Sequence, residues 1–178
     1  QWEAGEQYIY LFWTRKYVSD EMLEGCYLSR FTHKQGSGAI DSTGDFSSEK
    51  IIWYDTDRFA SGLQWHYGGQ VSFGPNDQLY LSLGDKYSEL YQMSPKHHAG
   101  CIVRMNKDGT IPDGNLPSHI KPPSCWAHGI RNGFRSTWDL EPVGQERMFI
   151  AEVGGNNNQV SSEDIHLGAA GANYGWPY

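Results

Sequence analysis

Alternating hydrophobic and polar positions predict short strands along this chain. Between His66 and Asp85, residues 71–73 and 79–83 each alternate aliphatic or aromatic side chains with more polar ones. Residues 74–77 lie between the two arms and read Gly-Pro-Asn-Asp, which is turn composition. The pattern predicts a β-hairpin with a histidine at one end and an aspartate at the other. Polar residues at the ends of a rigid hairpin are typical positions for functional groups.

Similar strand patterns recur about every 70 residues. Tyr10, Tyr80 and Phe149 occupy equivalent places in three such segments and are 70 and 69 residues apart. The three segments are 8–13, 78–83 and 147–152, and the second strands that follow them are 26–31, 101–105 and 164–167. Several short strands repeated at a fixed period predict a β-propeller or a solenoid. An ordinary β-sandwich with coincidental spacing is the alternative.

The number of repeats is small for a closed propeller. Roughly two and a half to three repeats fit within 178 residues, and an open propeller leaves bare strand edges. We therefore expect residues 1–178 to form one partial, all-β propeller domain and to be a fragment of a larger protein.

Composition and net charge indicate which kinds of ligand the protein could bind. Aromatic residues make up 14% of the chain, there are 21 glycines, and the net charge is −7. Such a composition is typical of many short strands and turns. The negative charge argues against a nucleic-acid partner, which needs a basic face, and suits neutral substrates or bound cations. No apolar run is long enough to span a membrane.

Three cysteines give an odd count. Cys26, Cys101 and Cys125 contain no C-x-x-C pair, which argues against a zinc site. A bridge between Cys101 and Cys125 and a set of buried, reduced thiols both remain open.

Two further segments have residues suited to ligand binding. Arg131 and Asn132 lie between glycines, and a guanidinium offers a rigid fork of donors for a carboxylate or a quinone oxygen. A structural salt bridge is the alternative role for this arginine. Later in the chain, a glycine-rich turn precedes Glu163 and Asp164. Carbonyl and carboxylate oxygens are the ligands that calcium prefers.

Six motifs occur in a recognisable order. They are His66-x-Gly68-Gly69, Phe73-Gly74-Pro75-Asn76, residues 79–85 ending in Gly84-Asp85, residues 102–112 ending in Asp108-Gly109-Thr110-Ile111-Pro112, Gly129-Ile130-Arg131-Asn132, and Asn173-Tyr174-Gly175-Trp176-Pro177. This ordered series resembles the glucose/sorbosone dehydrogenase family, which includes soluble quinoprotein glucose dehydrogenase and aldose sugar dehydrogenases. The resemblance implies a six-bladed β-propeller, of which this chain would be about half.

The resemblance also implies an activity. It implies an oxidoreductase that oxidises a sugar at its anomeric carbon, with pyrroloquinoline quinone as cofactor and calcium as its Lewis acid. It further implies a secreted protein, extracellular or periplasmic, and leaves the electron acceptor open.

Site residues follow from the matching motifs. His66 matches the catalytic base, and an imidazole suits this role because its pKa lies near the working pH. Arg131 and Asn132 match cofactor contacts. The remaining matches concern metals: Gly154 and Gly155 for the calcium of the cofactor, and Glu163, Asp164 and Tyr174 for a second, structural calcium.

One departure from the family pattern supports alternatives. Family members often have an acid or amide immediately before the histidine, where an acid would orient the imidazole, whereas Gln64 and Trp65 precede His66 here. A non-catalytic, secreted binding module of the hedgehog-interacting-protein-like type is therefore the main alternative. A lectin-like carbohydrate binder that stacks sugars on Trp65 and Tyr67 is a further one.

Overall fold

Antiparallel sheets make up nearly all regular structure in the chain. A computed structural model describes residues 7–15, 25–34, 43–56, 65–139, 146–156 and 162–178. The chain divides into two compact units, Gln1–Arg58 and Phe59–Tyr178. Each unit is described separately below.

The first unit contains one three-stranded sheet in the order β1-β2-β3. Its strands are β1 (Tyr8–Arg15), β2 (Gly25–Lys34) and β3 (Thr43–Asp55). Tyr8 lies opposite Thr32 and Arg15 opposite Gly25, so β1 and β2 pair along their whole matched length. Cys26 and Leu28 are buried on β2, where the hydrophobic pattern predicted a strand.

Strand β3 corrects one prediction. The Gly/Ser/Asp-rich stretch 37–48 reads as an exposed loop from composition, but Thr43–Asp55 is a strand; residues 37–42 lie outside the described residues. Asp45 accepts hydrogen bonds from both the backbone and the hydroxyl of Ser47. Polar residues are tolerated there because this part of β3 pairs with the more exposed end of β2.

The second unit begins with a four-stranded sheet in the sequential order β4-β5-β6-β7. The predicted hairpin is present, with a single 3-10 turn between its arms. Every residue of the second arm is buried, so β5 is a central strand. The strands are β4 (Val71–Phe73), β5 (Leu79–Ser82), β6 (Ile102–Met105) and β7 (Cys125–Ala127), and the helix α1 (Glu89–Met93) lies between β5 and β6.

A second sheet in the same unit has the order β10-β9-β8. Its strands are β8 (Gly133–Asp139), β9 (Arg147–Glu152) and β10 (Asp164–Gly168). Tyr80 of β5 packs edge-on against Trp126 and Trp138, with ring centroids 5.3 and 4.8 Å apart. Met148 and Ile150 of β9 are fully buried in the same cluster. The two sheets of this unit therefore share one hydrophobic core.

The structure confirms the repeated strand pairs. β1 pairs with β2, β5 with β6, and β9 with β10, each antiparallel. These are the three pairs that the 70-residue spacing predicts. Each pair lies in a separate sheet, which agrees with part of a propeller-like fold.

The structure also pairs two of the three cysteines. Cys101 and Cys125 form a disulfide, with their Cα atoms 5.6 Å apart. Of the two possibilities that the sequence leaves open, the bridge is the one present. No helix among the described residues is long and apolar enough to cross a membrane.

Candidate active-site cleft

The open end of the β4–β5 hairpin brings His66 against Asp85. Backbone hydrogen bonds continue the ladder beyond the strands, since the N–H of Gly69 donates to the Ser82 carbonyl at 2.7 Å. A Cβ on Gly84 would lie 2.1 Å from the carbonyl oxygen of His66, so only glycine permits this close approach. The result is a contact of 2.6 Å between His66 Nδ1 and Asp85 Oδ1.

The carboxylate of Asp85 is buried and receives three donors. Besides His66, it accepts from the backbone N–H of Tyr87 at 2.8 Å and from the indole N–H of Trp176 at 2.9 Å. Because a carboxylate only accepts, the proton on the His66 ring is assigned to Nδ1. Nε2 then carries the lone pair and can accept a proton from a ligand.

Arg131 belongs to the same site. Its carbonyl accepts a hydrogen bond from the N–H of Asp85 at 2.7 Å. Its guanidinium donates to the Val153 carbonyl at 3.2 Å and to Asn156 Oδ1 at 2.9 Å. No carboxylate among the described residues pairs with this guanidinium, and two of its five N–H donors are engaged there.

The C-terminal segment completes the site by pairing with a distant part of the chain. His128 forms an isolated parallel bridge with Asn173, and the N–H of Trp176 donates to the Gly129 carbonyl at 2.9 Å. This pairing places the Trp176 ring 5.4 Å from Arg131 Cζ, a cation–π distance.

Together these groups line one open cleft. Two adjoining hollows of about 290 and 340 Å³ share four lining residues: His66, Tyr87, Arg131 and Asn156. Asp85, Glu89 and Trp176 line the first hollow, and Trp65 lines the second. Volumes near 300 Å³ suit small ligands.

A second buried carboxylate, that of Glu152, contacts the backbone of a residue that lines the cleft. Glu152 accepts a hydrogen bond from the backbone N–H of Arg131 and contacts His166 Nε2 with its other oxygen. Glu152 lies directly opposite Asp164 in the β9–β10 register, and His166 follows on the same face of β10. Their potential ligand atoms lie within 4.8 Å of one another, the one such group of three found among the described residues.

The predicted cofactor contacts are only partly brought together. Arg131 lines the cleft, whereas Asn132 is not among the lining residues. Asn132 Oδ1 is buried and has no hydrogen-bond partner in the described part of the chain. Gly154 packs tightly, since a Cβ there would lie 1.9 Å from the Ser162 carbonyl oxygen.

The three residues predicted to hold a structural calcium, Glu163, Asp164 and Tyr174, are all among the described residues. Glu163 and Asp164 are both exposed. The hydroxyl of Tyr174 donates to the Leu167 carbonyl and accepts from the Ala169 N–H, both at 3.0 Å. Burial raises the pKa of this phenol, so Tyr174 stays neutral near pH 7. Asp164 is the one member of this set that also belongs to the Glu152–Asp164–His166 group.

Several lining residues were missed by the sequence analysis. Asp85 was noted at the end of the hairpin, but its pairing with His66 was not predicted. Asn156, Glu89 and Trp176 reach the cleft through contacts that no local pattern encodes. The signal available for Asp85 was its position directly across the hairpin from His66.

The chain matches a known family along nearly its whole length. Residues 3–178 match the family described as Glucose / Sorbosone dehydrogenase. Quinoprotein glucose dehydrogenase B of Acinetobacter calcoaceticus is 24% identical over 192 aligned residues, which cover 96% of this chain and 36% of that protein. Hedgehog-interacting protein of Homo sapiens is 32% identical over 91 residues, covering 44% of this chain and 13% of that protein.

A solved structure shows the same fold. The PQQ-bound form of aldose sugar dehydrogenase from Streptomyces coelicolor superposes with a TM-score of 0.70 at 24% identity, covering 96% of this chain and 43% of that one. The chain therefore spans less than half the length of each of these three proteins.

Proposed function

We propose, given that the chain belongs to the Glucose / Sorbosone dehydrogenase family, that the protein oxidises an aldose at its anomeric carbon with His66 as general base. The observation that carries the proposal is the contact between His66 and the buried carboxylate of Asp85 in an open cleft. The six-bladed architecture of the family is part of the same proposal.

His66 moves the proton in this reaction. Nε2 accepts the proton of the anomeric hydroxyl as the C1–O bond becomes a carbonyl, and the product is a lactone. Asp85 holds the ring in the tautomer that leaves Nε2 basic and stabilises the imidazolium that forms. An acid immediately before His66 is not needed to orient the imidazole, because Asp85 orients it from the other arm of the hairpin.

Residues of the cleft fit the cofactor that the family implies. Arg131 presents a guanidinium with no carboxylate partner among the described residues, and Asn132 has a buried oxygen without a hydrogen bond there. The carbonyls of Gly154 and Gly155 accept no hydrogen bond from any described residue, which suits them as hard oxygen ligands. When bound, pyrroloquinoline quinone would supply the hydride acceptor, and calcium would supply Lewis-acid polarisation of its carbonyl.

The same proposal includes a second, structural calcium. Tyr174 uses its hydroxyl on two backbone groups, which leaves Glu163 and Asp164 as the side-chain oxygens of the predicted set. Glu163, Asp164 and Tyr174 are the residues proposed for this site.

We also propose an oxidising compartment, extracellular or periplasmic. The Cys101–Cys125 disulfide supports this location, because disulfides persist where thiols are not kept reduced. The partners in this proposal are a small sugar and an electron acceptor.

The test is His66→Gln in the protein expressed from its full coding sequence and reconstituted with quinone and calcium. Dye-linked aldose oxidation should fall by roughly two to four orders of magnitude in turnover. The KM should change much less, since glutamine keeps hydrogen-bonding capacity. His119→Gln is the matched control, because His119 is exposed and lies outside the cleft.

Two results would count against the proposal. Full turnover in His66→Gln would remove the proposed base. Absence of quinone binding and of activity in the wild-type protein would favour the non-catalytic binding module, which the 91-residue similarity to Hedgehog-interacting protein keeps as the second candidate.

A further inference from the structure

A lysine is buried in the segment that joins β6 to β7. Lys121 is 1% exposed, and its ammonium lies within hydrogen-bond distance of four backbone carbonyls. The shortest distance, 2.6 Å, joins Nζ to the carbonyl oxygen of Gln92. The carbonyl oxygens of Tyr91, His97 and Ala99 lie 3.2–3.3 Å from Nζ. A buried ammonium needs such partners, because removing its charge from water is costly.

All four carbonyls belong to the connection between β5 and β6, residues 83–101. Two of them are in the last turn of α1, the end of a helix that cations stabilise. The other two are in the segment that returns to β6. Three residues in the first part of this connection line the cleft: Asp85, Tyr87 and Glu89. The ammonium of Lys121 therefore bonds to both halves of the connection that supplies these cleft residues.

Gln92 links the same connection to the C-terminal segment. Its side chain is buried, and its Nε2 donates to the Trp176 carbonyl at 3.3 Å. A Cβ on Gly100 would lie 1.8 Å from Gln92 Oε1, so glycine at that position leaves room for the amide. The indole N–H of Trp176 donates to Asp85 Oδ2 at 2.9 Å. A series of hydrogen bonds therefore runs from the Lys121 ammonium through these residues to the carboxylate that contacts the proposed base.

We propose that Lys121 is a positioning residue for the cleft: its buried ammonium fixes Gln92, and thereby the place at which Trp176 holds the Asp85 carboxylate. Without the ammonium, four carbonyls lose their donor and must find water or new partners. The connection between β5 and β6 then rearranges, and Trp176 moves with it. The inference rests on the proposed function, since it affects catalysis only if Asp85 orients the base, but its structural part is measured without turnover.

Lys121→Met removes the three N–H donors and keeps an unbranched side chain. In the protein expressed from its full coding sequence, the ¹H–¹⁵N signal of the Trp176 indole should shift from its wild-type position, because the bond to Asp85 changes. Loss of this signal in Trp176→Phe assigns it. After reconstitution with quinone and calcium, kcat for dye-linked aldose oxidation should fall about ten- to a hundredfold and KM should stay within about threefold, as expected when a reacting group is displaced without loss of substrate binding.

Two further measurements test the route through Gln92 and Trp176. Gln92→Met breaks the series one step later and leaves the ammonium in place, so it should shift the same indole signal. In a double-mutant cycle, Lys121→Met should lower kcat by no more than about twofold in the Trp176→Phe background, because effects that share one route are not additive.

Two control variants separate positioning from a general loss of stability. Lys96→Met removes an exposed lysine from the same connection and should leave the indole signal and kcat unchanged. Leu116→Ala truncates a buried side chain of the segment that joins β6 to β7. It should lower the Tm while the Trp176 signal stays in place.

The outcomes separate this inference from the proposed function. An unchanged Trp176 signal in folded Lys121→Met or in Gln92→Met would overturn the positioning role, as would a loss of kcat by the same factor in the Trp176→Phe background. If Lys121→Met does not fold, Lys121→Gln, which keeps two N–H donors, takes its place in both measurements. A shifted signal in Lys121→Met, with no oxidation even by the reconstituted wild type, would support the positioning role and overturn the dehydrogenase proposal.

Discussion

Replacement of Asp85 by asparagine is the sharpest test of how the cleft works. Three N–H donors converge on the two oxygens of this carboxylate, from His66, Tyr87 and Trp176. Asparagine offers one oxygen and one NH₂ group, so it cannot accept all three bonds. One donor at least must face another donor.

Each orientation of the new amide disables the proposed base. If the NH₂ group faces His66, the ring must accept at Nδ1 and carry its proton on Nε2, which removes the base. If the NH₂ group faces Trp176, the ring keeps its tautomer but loses the negative charge that stabilises the imidazolium. We expect turnover to fall by roughly two to four orders of magnitude in either case.

The stability of the fold should also decrease. A hydrogen bond to a charged group contributes about 1.5–3 kcal/mol, and at least one such bond is lost in Asp85→Asn. We expect a decrease of about 2 kcal/mol in the free energy of unfolding.

Steady-state dye-linked aldose oxidation measures the turnover, and ¹⁵N NMR of the imidazole reports the tautomer of His66. Asp77→Asn is the matched control, because Asp77 forms an exposed ion pair with Lys107 and has a positive φ that asparagine tolerates. Turnover of Asp85→Asn within about threefold of wild type would refute the role of this carboxylate, because general-base effects are normally far larger.

Three further predictions concern stability. Lys121→Met should lower the free energy of unfolding by at least about 2 kcal/mol in chemical denaturation, because the three N–H groups of the buried ammonium are shared among four backbone carbonyls and the variant removes all three; full stability would contradict this. The double change Cys101→Ser and Cys125→Ser should lower the free energy of unfolding by about 3.5 kcal/mol, the chain-entropy value for a separation of 24 residues. Thermal melting should show a lower Tm, and an unchanged Tm would contradict this. Burial, and to a lesser degree the Lys121 charge, lower the pKa of His128. The contribution of this histidine to stability should therefore be complete above about pH 6.5 and fall as the pH drops below that value. His128→Gln should flatten the curve of Tm against pH in that range, and an unchanged slope would show that His128 does not cause the pH dependence.

Local patterning predicted strands in which most residues are hydrophobic. Leu79 and Leu81 of β5 and Ile102 and Val103 of β6 are fully buried, and the hydrophobic segments of β1 and β9 were equally readable. The polar part of β3 was not predicted, because Ser and Asp residues are typical of turns. This segment is a strand because it pairs with β2. β8 was missed because its exposed and buried residues do not alternate cleanly near the irregularity between Gly133 and Arg135.

The site was predictable only where its residues lie close in sequence. His66 and Asp85 are separated by 19 residues within one hairpin, so their proximity follows from the hairpin itself. Trp176 reaches Asp85 across 91 residues, through the pairing of the C-terminal segment with the segment around His128. No period or propensity in a single sequence encodes that pairing, and the same holds for Asn156.

The precision of the cleft depends on one residue, Arg131, whose backbone connects the two sheets of the second unit through hydrogen bonds. The N–H of Arg131 is held by Glu152 of β9, and its carbonyl receives the N–H of Asp85, which follows β5. A shift of β9 relative to β5 would therefore displace Arg131 relative to Asp85 and His66 or break one of these two hydrogen bonds. The spacing of those strands is set by the buried cluster around Tyr80 and Met148. Since a displacement of about 1 Å can cost two orders of magnitude in rate, the packing of this core is as much a determinant of the chemistry as the residues that line the cleft.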